Sequence, residues 1–549
     1  MYIRLHQEAL MKLDNSLLQE KSKTRFQTDP LKLADELKTH PWYDYVQKQR
    51  EVHGTGRTVP GYHYTAPEGY FNDGTGFCKW KDKWHLFYGE RPVRTEGGGF
   101  IWGHIVSDDL IHWMDLPPAI VNGPEPETWT GSVLAEEDRC IAAYRAYGNG
   151  EMGIGIAVST DPLLVNWEKL LGEKGDFIVI HADPSKPESN TGDPCIWKKD
   201  GFYYLISGKT EEHPGSGEIM RQGYLYRSAD LEHWEYLHPF LEDDRLKLVC
   251  DDLSCPTFWP LEERHLLIHY SHTHSGRYIL GDYDKENDTF RPVASESFGN
   301  GCFPFGGIGP TTSTCADGEI IMLYELNGSP DNAETWYPQV FSLPRKIGLS
   351  GIHRDELTIT PSGDYASLRG TKQEYVNITL PQNQEYVLPD FHSRSFEAEM
   401  TFSFADKPMI ELRVLRSADC QEYTSICFYS HRGVTFRQDE SFGIWNNSRK
   451  SVVTINTDHA SLDSGVITRA PERAELFLYP DEKLHLHIFV DVNVLEVFVN
   501  DKVVLATRTL PILPDSNGIS FLLHGTGSAT LEEAVIWEMN RIDLPIYPG

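Results

Sequence analysis

A chain of 549 residues is longer than one hydrophobic core usually serves, so two or more domains are expected. Its 81 acidic against 50 basic side chains give a formal charge of −31, which argues against a polyanionic partner such as nucleic acid. Nine cysteines, an odd number without a CxxC pair, argue against a disulfide framework.

Residues 1–53 read as a helical extension. Leu10, Leu13, Leu17 and Leu18 fall at helical spacing, and Asp29-Pro30 opens a second apolar-periodic run from Leu31 to Leu37. The expected role is a brace or a contact for a homo-oligomer, to which the second domain could also contribute. The first residues lack the apolar core of a signal peptide, and no uncharged run reaches membrane-spanning length. The expectation is a cytoplasmic protein with no membrane partner.

From 54 to 350 the pattern changes to short strands, in keeping with 13 Trp, 26 Tyr and abundant Gly and Pro. Ser107-Asp108-Asp109-Leu110-Ile111-His112-Trp113 returns as Ser159-Thr160-Asp161 through Trp167, and again as Ser228-Ala229-Asp230-Leu231-Glu232-His233-Trp234. In phase with it, a small polar entrance followed by two strands recurs near Gly76, Gly131, Asp193, Cys255 and Pro310. Five copies spaced by about 55 to 62 residues predict a radial array of four-stranded blades. Residues at equivalent inner-strand entrances of such an array meet at one mouth of the central axis. Three of those entrances carry carboxylates: Asp73, Asp193 and the pair Asp251/Asp252. An isolated Asp-Gly is ordinary turn chemistry. Acids converging from separate blades instead suit glycoside cleavage, which needs an acid and a nucleophile or base a few ångströms apart.

A polar linker is read over 351–370. From 371 to 549 the chain alternates apolar and polar residues, as in Phe396–Phe402, Leu484–Val490 and Val494–Val499, which predicts a β-sandwich. The fold class is therefore all-β, a five-bladed propeller followed by a sandwich, with a short helical extension in front.

These residues resemble the invertase and fructanase group, glycoside hydrolase family 32. The resemblance rests on Tyr70-Phe71-Asn72-Asp73, Trp102-Gly103-His104 through Trp113, Gly131-Ser132, Asp193-Pro194, Cys255-Pro256 and Ser342-Leu343-Pro344-Arg345. It implies a retaining hydrolase of β-fructofuranosides or related furanosides, with Asp73 as nucleophile, Asp193 as transition-state stabiliser and no metal or other cofactor. The chain is a divergent member on this reading, because the family's acid/base Glu is replaced by Ser254. Side chains two apart on a strand share a face, so Asp252 points with Ser254 and Asp251 points away unless a bulge intervenes. Asp252 is the candidate stand-in, with Asp251, a purely capping role for Asp252, or no acid/base at all left open. Positions that in the family grip a terminal fructose are changed too: Gly89, Gly192, Trp129-Thr130 and the run at Gly97. The expected substrate contacts are Asn72, Trp129, Thr130, Ser254 and Trp336.

His272-Thr273-His274 offers two metal-ligating side chains without an evident third and reads as a polar strand end. His63 and His104 read as core residues. A transferase of the same fold and a carbohydrate-binding propeller that has lost catalysis are the alternatives to a hydrolase.

Overall fold

A computed structural model describes residues 24–54, 56–68, 71–90, 99–123, 127–148, 151–183, 185, 192–297, 307–314, 318–327, 338–351, 354–431, 450–466, 470–479 and 482–547. The helix expected at Leu10–Leu18 and the side chain of Trp336 lie outside them.

Five sheets of four or five antiparallel strands cover residues 72–120, 127–181, 194–239, 254–297 and 307–361. Their first strands are Asn72–Trp80, Glu127–Ala135, Pro194–Lys199, Ser254–Leu261 and Gly307–Thr314. Each first strand contacts that of the next blade, and the fifth contacts the first, which closes a five-bladed β-propeller. Apolar faces of neighbouring blades make its core, as where Trp102, Phe87 and Val133 meet Tyr144 between blades one and two.

The repeated Ser-x-Asp-Leu motif has a structural cause. In blade one Asp109 accepts from the amides of Ile111 and His112 at 2.9 and 2.8 Å, and in blade three Asp230 accepts from Glu232 and His233 at 3.0 and 2.8 Å. Leu110 and Leu231 sit at φ +72° and +73°, completing the turn between the two outermost strands.

Residues 356–361, read from sequence as linker, instead form the outermost strand of blade five. Leu357 and Ile359 pair with Leu349 and Ile347 and are buried, so the alternation there is that of a strand. After a short turn, two six-stranded sheets spanning 369–539 pack face to face as a β-sandwich around Phe396, Met400, Leu412, Val453, Leu486 and Ile536.

The sandwich is clamped to the propeller by buried charge. His63 sits between Asp491 and Glu496, at 2.9 Å from each, and Glu496 also meets the Arg345 guanidinium. Burial alone would lower the His63 pKa, but the two carboxylates overturn it and hold the imidazolium up to about 9. Asp491 further accepts the amides of Gly61, Tyr62 and His63 at 2.6, 2.7 and 3.0 Å.

Among the described residues two helices precede the propeller, Pro30–Thr39 and Pro41–His53. Asp29 caps the first through Lys32 N, and Leu33 and Leu37 pack on Val106, Leu116 and Leu163 of blades one and two. Arg50 of the second holds both oxygens of Asp115 at 2.8 and 2.7 Å. The described helices thus brace their own propeller. Among the described residues no helix is long and apolar enough to cross a membrane.

Candidate active site

Four of the five inner strands break register at their entrances. Pairing skips between Asn72 and Gly76, between Thr128 and Gly131, between Ser254 and Thr257, and between Ile308 and Thr311. Such bulges bend a strand and re-aim its side chains. The first presents Asp73 and the second presents Thr130. Thr130 Oγ1 donates to Asp73 Oδ2 at 3.1 Å, and Asn72 Nδ2 donates to the same oxygen at 2.7 Å. Burial, and then the charge of Asp193, nevertheless push the Asp73 pKa up to about 6.

Asp193 arrives from blade three, where the backbones of blades three and four touch. A Cβ on Gly192 would lie 1.8 Å from the Gly208 carbonyl oxygen, and a Cβ on Gly208 would lie 1.8 Å from that of Leu253. No side chain fits at 192 unless the backbone shifts. The approach lets Cys255, at φ +49°, donate its amide to Asp193 Oδ2 at 3.0 Å. Burial and the surrounding charges of Asp73, Asp193 and Asp252 keep the Cys255 thiol protonated well beyond its usual range.

The two adjacent acids of blade four part company. Asp251 is fully buried and bound to Arg221 Nη1 at 3.1 Å, an ion pair within the blades. Asp252 turns the other way and accepts Ser254 Oγ and His272 Nδ1 on Oδ2, both at 2.7 Å, and the His272 amide on Oδ1 at 2.9 Å. Burial favours a neutral Asp252, but these donors prevail and hold its pKa below the ordinary value. His272 is raised, first by its hydrogen bond to Asp252 and further by the charges of Asp252, Asp73 and Asp193.

A second acid lies behind Asp73. Glu325 is 1 % exposed, and burial together with the Asp73 charge drives its pKa well up, so it is a neutral acid. Gln339 ties Glu325 to the lead-in of the first inner strand: its Nε2 donates to Glu325 Oε1 at 2.8 Å, and its Oε1 accepts the Phe71 amide at 2.6 Å.

Asn72, Asp73, Thr130, Asp193, Asp252 and Ser254 therefore surround one mouth, as the blade argument anticipates. Asn72, Thr130 and Ser254, expected on substrate, spend their hydrogen bonds on the carboxylates. Trp129 packs tilted against Phe100 at 4.5 Å between ring centres and donates its indole N–H to Glu127. The two histidines take separate partners: His272 Nδ1 is engaged by Asp252, and His274 Nε2 lies 3.0 Å from the Val249 carbonyl oxygen. Sequence reasoning missed the role of His272, which stands twenty residues from Asp252 in the chain. It also missed Glu325, although a lone carboxylate in the apolar run Ile320–Leu326 was a signal.

Comparison with known proteins agrees with the fold. The profile described as "Glycosyl hydrolases family 32 N-terminal domain" matches residues 63–361, and that described as "Glycosyl hydrolases family 32 C terminal" matches 364–538. The chain is similar to a sucrose-6-phosphate hydrolase of Bacillus subtilis (strain 168), 25% identical over 411 residues that cover 66% of this chain and 80% of the relative. It is similar to an insoluble β-fructofuranosidase isoenzyme of Arabidopsis thaliana, 23% identical over 560 residues covering 87% and 90%. In fold it matches the fructan 1-exohydrolase IIa of Cichorium intybus with a TM-score of 0.75 at 18% identity, over 89% of this chain and 99% of the other. The sucrose-6-phosphate hydrolase of Lactobacillus gasseri matches with a TM-score of 0.70 at 18% identity, over 91% and 96%.

Proposed function

Because this chain belongs to glycosyl hydrolase family 32, we propose that it cleaves β-fructofuranosides, or closely related furanosides, by double displacement. Asp73 is the nucleophile, Asp193 stabilises the charge that develops on the sugar, and Asp252 is the carboxylate of the acid/base centre. The observation that supports this most is the convergence of acids from blades one, three and four on a single mouth, with Asn72 and Thr130 bound to one oxygen of Asp73. Ionised Asp73 would attack the anomeric carbon as the glycosidic oxygen leaves with a proton, and water would then hydrolyse the glycosyl ester. The similarity to proteins named for sucrose-6-phosphate and β-fructofuranoside hydrolysis supports the choice of sugar.

The test is turnover of a panel of fructosides and arabinofuranosides by the protein and by Asp73→Asn. Sugar release that Asp73→Asn abolishes supports the reading. Tight binding without turnover by either protein would replace the enzyme with a carbohydrate-binding module.

A further inference from the structure

We propose that the proton donor and acceptor of this site is the imidazole of His272, and that Asp252 acts through it as a positioning residue. The inference rests on the double-displacement reading above. Position 254, where the family's acid/base Glu stands, holds a serine whose hydroxyl is spent on Asp252. Asp252 itself accepts three donors on its two oxygens, and all three favour the ionised carboxylate. A carboxylate so held is a poor source of a proton. His272 is the opposite case. Asp252 fixes Nδ1 at 2.7 Å and the backbone amide at 2.9 Å, which sets the ring orientation and keeps the proton on Nδ1. Nε2 has no partner among the described residues, and the side chain is 71% exposed at the mouth.

Among the described residues, the charges that act most on the ring are anionic: Asp252 from its own blade, Asp73 from blade one and Asp193 from blade three. Tyr270 lies edge-on to it at 5.2 Å, and the Cys255 thiol nearby is neutral. The hydrogen bond to Asp252 first, and then that field, raise the His272 pKa and favour the imidazolium. Glu325 also carries a proton, but it is sealed from solvent, and Gln339 binds one of its oxygens.

In the first step the proton on His272 Nε2 passes to the leaving oxygen as the glycosidic C–O bond breaks and Asp73 bonds to the anomeric carbon. In the second, neutral Nε2 takes a proton from water. The resulting hydroxide oxygen bonds to the anomeric carbon, and the ester C–O bond breaks to release Asp73. The sum is one water consumed and one glycoside cleaved.

The experiment compares kcat/KM from pH 5 to 9 for the protein, His272→Gln, Asp252→Asn and Glu325→Gln, on sucrose or 1-kestose and on a 4-nitrophenyl β-fructofuranoside. His272→Gln should lose about 10²- to 10⁴-fold on the alkyl glycosides, the usual worth of a general acid. It should lose far less on the nitrophenyl substrate, whose leaving group needs no proton, and its profile should lack the alkaline limb. Asp252→Asn should move that limb to lower pH. A His-ring NMR titration, with the His272 signal assigned by its loss in His272→Gln, should show the same downward shift in Asp252→Asn without relying on turnover. The proposal is overturned if His272→Gln keeps the normal rates and alkaline limb while Asp73→Asn is dead, or if Glu325→Gln alone gives the leaving-group-dependent loss. No turnover of any fructoside by the unaltered protein would instead overturn the hydrolase reading, and this proposal with it.

Discussion

Asp73 carries opposing influences that can be separated by substitution. Burial and the neighbouring Asp193 charge raise its pKa to about 6, whereas the hydrogen bond from Thr130 favours its ionised form. A nucleophile must be ionised, so kcat/KM should rise through a limb near pH 6 and fall again as His272 loses its proton at higher pH. Asp193→Asn removes a like charge and should move the acid limb to lower pH, together with a rate loss on the order of 10²- to 10³-fold for a lost transition-state contact. Thr130→Val removes a donor to the ionised form and should move the limb the other way. Initial rates across pH 4.5–8 would check both directions, and an unmoved limb in both variants would sink the assignment of that limb to Asp73.

The elements that deliver these side chains owe their aim to bulges and to one place where backbones touch. Gly208→Ala would put a Cβ 1.8 Å from the Leu253 carbonyl oxygen, so blades three and four would have to part. A stability loss of about 1–3 kcal/mol is expected for such overpacking, with a larger loss of activity because the Cys255 amide leaves Asp193. Gly223→Ala, in a neighbouring strand, meets nothing closer than 3.4 Å and serves as the near-neutral control. Urea unfolding and turnover on the same samples read both effects. The blade count was legible because a small polar entrance followed by two strands recurs five times with the chain's own period. The split between Asp251 and Asp252 was legible from strand parity, since one binds Arg221 and the other binds Ser254. The Gly192–Gly208 contact and the His272–Asp252 pair were not legible, because they join separate turns of the chain through space. Glu325 was hidden for a related reason: its apolar neighbours give a clear strand signal, and only the fold shows that Asp73 lies beside it.

At the scale of the whole molecule, a buried cluster of charge joins propeller and sandwich. His63→Ala leaves Asp491 and Glu496 buried without their shared cation, and about 3–5 kcal/mol of destabilisation is expected. The folded pKa of His63, about 9, exceeds the ordinary 6.5. Its contribution is therefore complete below about pH 6.5 and is lost as pH climbs towards 9. Thermal melts should show Tm falling over that window, and falling less in His63→Gln. An identical slope in the two proteins would remove His63 from the account. The same clamp bears on dissection of the molecule. Asp491, a sandwich residue, gathers three consecutive amides just upstream of the strand that bears the nucleophile, and Phe489 and Phe498 cover Tyr324 and Ile347 of blade five. A gene shortened after that blade would wet this greasy seam and free the lead-in to Asp73. The expected product is an aggregate, not a smaller working catalyst.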